Sequence, residues 1–114
     1  MSSPTLAALL LASALQPGVA PSLELRVLPA NQLELKLCFQ GAAQAVRFDL
    51  RVESSGQAGH GSSRQQGGLR LDGETLCPVR IRLGDAAERE VRVRLEWSVD
   101  GIAQPPVVKS LRQT

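Results

Sequence analysis

The chain has 114 residues, 43% of them hydrophobic, which suffices for one domain with a modest core. Tyr is absent and Phe39, Phe48 and Trp97 are the only aromatic residues, so the stacking platforms of nucleic-acid modules are missing and nucleic acid is not an expected partner. The net charge is only +2, yet eleven of the thirteen basic residues are Arg, whose planar fork suits carboxylates and carbonyls, so charge acts here by placement and toward an acidic or polar partner.

The first twenty residues read as an export signal. Leu6 to Leu15 is an apolar run too short to span a bilayer and of the length of a signal-peptide core. Ala12-Ser13-Ala14 and Gly18-Val19-Ala20 offer cleavage points, with Pro21 disfavouring the second; the leading Met-Ser-Ser-Pro-Thr departs from the usual pattern in having no Lys or Arg. The expected organisation is a signal over 1–20 and one domain over 21–114, monomeric and not inserted in a membrane once the signal is removed.

After a Pro/Gly linker, Leu23 to Leu28 alternates Leu23, Leu25 and Val27 with Glu24 and Arg26, the period-two pattern of a half-buried strand. A turn at Pro29 to Gln32 leads to a second strand, Gln32 to Gln40, with Leu33, Leu35, Leu37 and Phe39 on its apolar face. Val46 to Glu53 forms the third, with Val46, Phe48, Leu50 and Val52 inward and Arg47, Asp49, Arg51 and Glu53 outward. Ser54 to Gly68 has no apolar residue larger than Ala and reads as a long mobile loop. A short strand, Leu69-Arg70-Leu71, precedes the tight-turn signal Asp72-Gly73. The fifth strand, Glu74 to Leu83, contains Pro78 and therefore belongs at an edge or a bulge. Glu90 to Val99 is the strongest, alternating Val91, Val93, Leu95, Trp97 and Val99 with Arg92, Arg94, Glu96 and Ser98. Asp100-Gly101 signals a hairpin, and a last strand, Ile102 to Leu111, is broken by Pro105-Pro106. Seven short strands with frequent turns predict an all-β, immunoglobulin-like seven-stranded β-sandwich.

Two cysteines in an exported chain allow one disulfide, but parity opposes it. Cys38 falls on the polar face of its strand and Cys77 in phase with Val79, Ile81 and Leu83, unless a bulge near Pro78 changes the register. Without the bridge, Cys38 is a partly exposed thiol and Cys77 core filler.

Catalytic patterns are weak. His60, the single histidine, lies in a Gly/Ser stretch without the fixed partners that a metal site or a nucleophile triad needs. The glycines at 56, 59 and 61 lack phosphate-loop spacing, and no helix follows them. No enzyme activity, cofactor or metal is expected. The outward arginines remain. In an immunoglobulin-like sandwich the third, sixth and seventh strands share a sheet, which brings Arg47 and Arg51 near Arg92 and Arg94, with Asp49 and Glu96 between them. The expected result is a net-positive stripe that binds and steers an acidic chain. Arg80 and Arg82, on the other sheet, form a second candidate.

Several of these segments resemble a known family. The strand ending in Ser54-Ser55-Gly56-Gln57, the stretch with Gln65-Gln66-Gly67 and the Leu-x-Leu strand after it are similar to the CsgC-like curli assembly chaperones. Leu95-Glu96-Trp97 followed by Asp100-Gly101 resembles the CsgH-type branch. The resemblance spans about Val46 to Gly101. It implies a periplasmic immunoglobulin-like domain of a Gram-negative bacterium that keeps a secreted amyloid chain, the curli major subunit, from nucleating early, at low ratio and guided by surface charge. Where some members carry a CxC pair this chain has Gly41-Ala42-Ala43-Gln44, so a redox role resting on that pair does not carry over. With this likeness, Arg47, Arg51, Arg92 and Arg94 are the expected client-binding residues. The alternative is a structural, adhesive or pilus-type immunoglobulin-like module of the cell envelope.

Overall fold

The computed structural model describes residues 18–56, 59–85 and 89–112. The apolar run Leu6 to Leu15 and most of the expected signal lie outside them. Alternating sequence becomes two antiparallel sheets packed face to face. Sheet A orders β1 (Ala20–Leu28), β2 (Gln32–Gln40) and β5 (Thr75–Asp85) as β1-β2-β5. Sheet B orders β4 (Gly59–Arg70), β3 (Ala45–Gly56), β6 (Arg89–Val99) and β7 (Ile102–Ala103), with β8 (Val107–Arg112) also paired to β6. The immunoglobulin-like sandwich is therefore present, and the last expected strand is two segments, β7 and β8, separated at Pro105-Pro106. Pro has no N–H to give the ladder, so the break falls where the sequence places it.

The core is the set of inward residues. Leu33, Leu35, Leu37 and Phe39 of β2 meet Phe48, Leu50, Val93, Leu95 and Trp97 of β3 and β6, all buried. Phe39 joins the sheets, with ring centroids 6.1 Å from Phe48 and 5.7 Å from Trp97. The indole N–H of Trp97 donates to the Pro105 carbonyl at 3.0 Å, which satisfies its one polar atom. Val27, expected inward, is exposed near the end of β1.

Asp100 and Gly101 both have positive φ, 49° and 84°, as a two-residue hairpin turn requires. The Asp100 carboxylate also accepts from the Ala45 N–H at 2.9 Å and so ties the turn to β3. Asp72-Gly73 does turn, with the Glu74 N–H donating to the Asp72 carboxylate at 3.1 Å, but it carries the chain from sheet B to sheet A and makes no hairpin.

Two expectations are corrected. Gly59 to Gly68 is no mobile loop: it is most of β4, paired without a slip from Ala45↔Arg70 to Gly56↔Gly59. Gly and Ser lack the side chains that announce a strand, and β4 borrows its order from the ladder with β3. Gly67 shows how: a β-carbon there would lie 3.0 Å from the Phe48 ring, which occupies the space over the glycine backbone.

The cysteines form the second correction. Cys38 and Cys77 are bonded, with S–S 2.11 Å, and among the described residues no cysteine is free. The β2–β5 register runs from Leu37↔Val79 to Phe39↔Leu76, so β5 carries one residue more than β2 at Cys77-Pro78. That bulge keeps Leu76 and Val79 inward and turns Cys77 out toward Cys38. Cys77 is thus exposed and not core filler, and Cys38 is buried and not a thiol.

Candidate functional site

The outward face of sheet B carries most of the expected site. Because the side-chain period is two, residues paired across strands share a face. Arg51 of β3 pairs with Arg94 of β6 on one side and with Arg64 of β4 on the other. Three guanidinium side chains therefore stand abreast across three strands, each about half exposed: Arg64 51%, Arg51 55% and Arg94 49%. Like charges directly opposite are unfavourable in a sheet, and the row is offset by only two carboxylates, Asp49 and Glu96.

The other two expected residues are placed differently. Arg92 pairs with Glu53, on the next row outward, and is a diagonal neighbour of Arg51. Arg47 pairs with Ser98, and a row containing Asp49 and Glu96 separates it from Arg51. The four arginines share one exposed face but do not form a continuous block. Arg80 and Arg82 lie on sheet A opposite Lys36 and Glu34: Glu24, Lys36 and Arg80 form one row, and Arg26, Glu34 and Arg82 the next.

Arg64 was not legible in the sequence, because its segment reads as a loop. One signal existed: Asp49 stands in a strand among outward arginines, and a strand beside it must face it with something. Arg64 does so as a fork, with Nε 3.0 Å from Oδ1 and a terminal nitrogen 2.7 Å from Oδ2. Arg51 reaches the same carboxylate at 3.6 Å. The Arg64 hydrogen bond and, to a lesser extent, the charges of Arg64 and Arg51 hold the Asp49 carboxyl below its ordinary range. On sheet A, Arg26 at 2.9 Å does the same for Glu34, aided by Arg80 and Arg82. Arg94 meets Glu96 at 3.3 Å, and Arg112 meets Glu90 at 3.4 Å. Arg47 and Arg92 have no ion pair among the described residues.

These shifts carry a sign. A carboxyl depressed in the folded state binds fewer protons there than in the unfolded chain, so its contribution is complete above the unfolded pKa and is lost as pH falls through the folded one. Stability should hold above about pH 5 and decline progressively in acid. Asp49→Asn should flatten part of that decline, as read from urea midpoints across an acid pH series. An unchanged acid limb in both Asp49→Asn and Glu34→Gln would contradict this reading.

Along the β3–β4 hairpin runs an open groove of about 910 Å³, lined in part by Arg51, Arg64, Arg92, His60, Glu53 and Glu90. Its walls are charged and hydroxylated, which suits an extended polar chain better than an apolar small molecule. His60 lies exposed at the far end of β4, opposite Ser55.

No protein-family model and no curated protein matches the chain. Solved structures do. CsgH of R. palustris, solved in solution, superposes with a TM-score of 0.60 over 82% of this chain and 91% of its own, at 17% identity. The E. coli curli protein CsgC superposes with a TM-score of 0.62 over 81% of this chain and 96% of its own, at 13% identity. The fold is that of CsgH and CsgC. At these identities the likeness is one of architecture, and it extends over nearly the full length of both CsgH and CsgC. The sheet that carries Arg51, Arg64 and Arg94 thus belongs to a CsgC-like sandwich.

Proposed function

We propose that this domain is an extracytoplasmic inhibitor of amyloid nucleation that acts on a secreted curli-type subunit. It binds early, extended forms of that chain through Arg47, Arg51, Arg92 and Arg94 of sheet B, with Arg64 beside them, and carries out no covalent chemistry. The observation that carries this reading is the row Arg64, Arg51, Arg94. Three half-exposed guanidinium groups share only Asp49 and Glu96, which leaves donors free for an acidic or carbonyl-rich partner.

Two further facts support it. The Cys38–Cys77 disulfide suits an oxidising compartment such as the periplasm. The sandwich is shared with a protein described as a curli protein, and an inhibitor of this kind needs an exposed charged sheet but no active site. Because long-range attraction steers encounter more than it stabilises a complex, the contact would be brief, and one domain would serve many client molecules. A pilus-type module would need a long apolar edge to donate or accept a strand, and the longest exposed edge here, β4, is polar.

The test is the lag time of the curli major subunit, followed by dye fluorescence, with the domain far below stoichiometric amounts. A lag extended several-fold supports nucleation inhibition. An unaltered lag even at equimolar domain would refute it.

A further inference from the structure

The β4 edge differs from the other edges of the sandwich. β1 carries Pro21 together with Glu24 and Arg26, β5 carries Pro78 at its bulge, and the β7–β8 side is interrupted by Pro105-Pro106. These are the devices by which sheets discourage pairing with other chains. β4, Gly59–Arg70, has no Pro, no Lys, no acid and no register slip along its length, and its charged residues are Arg64 and Arg70.

The direction of its backbone groups follows from the bonds at the hairpin base. The Asp100 N–H donates to the Ala45 carbonyl at 2.8 Å, and the Leu71 N–H donates to the Gln44 carbonyl at 2.9 Å. Ala45 therefore turns its polar groups toward β6, and its neighbour Gln44 turns its carbonyl toward the β4 side. Along an antiparallel ladder this direction alternates residue by residue. The partners of Val46, Phe48, Leu50, Val52 and Ser54 on β4 are Leu69, Gly67, Gln65, Ser63 and Gly61, which bond inward to β3. It follows that His60, Ser62, Arg64, Gln66 and Gly68 aim N–H and C=O groups at the open edge.

We infer that this edge accepts an extended, Gln/Asn/Ser/Gly-rich strand of the amyloid-forming client by β-strand addition. The inference rests on the client reading proposed above and deepens it. A row of alternating donors and acceptors is complementary to another strand and to little else. Gly61, Ser62, Ser63, Gly67 and Gly68 are small enough to let a second backbone approach. Gln65 and Gln66 place one amide on each face, where the amides of a Gln- or Asn-bearing strand would extend them as a ladder. An apolar strand would instead set its side chains against exposed Ser63 and Gln65. The one charge between Gly59 and Gly68 is Arg64, already held by Asp49, while Arg51 and Arg94 stand further in, so acidic residues of a client are drawn to the sheet without disturbing the edge itself. A client strand held there is aligned on a twisted folded sheet, a poor template for the flat stacking of a fibril.

The experiment is amide hydrogen exchange on the intact domain with and without the monomeric curli major subunit, paired with lag times for two variants. Protection gained at residues 60, 62, 64, 66 and 68, and not along β1 or β8, supports strand addition. The double variant Ser62→Pro/Gln66→Pro removes two outward N–H groups and the Gln66 amide but no bond to β3, so it should fold with wild-type melting behaviour yet lose about tenfold in inhibitory potency, the equivalent of one or two backbone hydrogen bonds. Ser63→Pro removes an inward bond and should destabilise the hairpin, which checks the assigned alternation. If the wild type extends the lag while those amides exchange unchanged, strand addition is wrong and the charged-face reading stands. If the wild type leaves the lag unaltered, both fail. Protection that grows with domain concentration in the absence of client would assign the edge to a second copy of this chain and overturn the proposal.

Discussion

Reversing the four arginines, Arg47→Glu, Arg51→Glu, Arg92→Glu and Arg94→Glu together, should abolish lag extension while leaving the sandwich folded. All four side chains are exposed, and none supports the core. Surface changes of this kind are usually small in stability, although Arg51 and Arg94 would now set carboxylates beside Asp49 and Glu96. The field of the face inverts, so an acidic client is repelled where it had been drawn in. The control is Arg80→Glu/Arg82→Glu on sheet A, which makes half that charge change on the opposite face and should leave potency within about twofold. Asp49→Asn bears on the same point with the opposite sign. It releases Arg51 and Arg64 from their shared carboxylate and should raise potency. Lag times for the three proteins, with melting curves to confirm folding, decide the matter. Equal loss from the sheet A control would point to net charge alone and not to this face.

Loss of the disulfide should have the largest effect on stability. Cys38 and Cys77 are separated by 39 residues, and opening a loop of that length should cost about 4 kcal/mol in the chain-entropy model. That is a large fraction of what a domain of this size possesses, so Cys38→Ala/Cys77→Ala should melt far below the wild type and be partly unfolded near 37 °C. The bridge also pins the bulge at Cys77-Pro78, where the β2–β5 register changes. Denaturant unfolding of the oxidised, reduced and doubly substituted proteins measures the effect. A midpoint unchanged by reduction would show that the ladder alone holds β5 in place.

The strands with an apolar face were legible in the sequence. Val91 to Val99 and Leu33 to Phe39 could bury their side chains only by alternating, so period, face and much of the core followed from the residues. The turn at Asp100-Gly101 was legible because two successive positive φ values admit few residue pairs. β4 was not, because it presents no apolar residue between Gly59 and Gly68 and its order comes from the backbone of β3. With it went Arg64, the third member of the guanidinium row. The disulfide was hidden for a related reason. Parity counts residues, and a bulge adds one on a single strand, so Pro78 signalled an irregularity without giving its direction. Of the candidate site, the shared outward face of Arg47, Arg51, Arg92 and Arg94 could be read. That Arg51 and Arg94 stand opposed, while Asp49 and Glu96 set Arg47 apart, required the register.

Ionic strength tests the role of the charged face most directly. Lag extension by the wild-type domain should be measured across a salt series, each point relative to client alone at the same salt. Exposed charges are screened beyond about 10 Å at 0.1 M salt and beyond about 3 Å at 1 M, so potency should fall steeply over that range. Potency that stays constant from low to high salt would contradict an electrostatically guided contact.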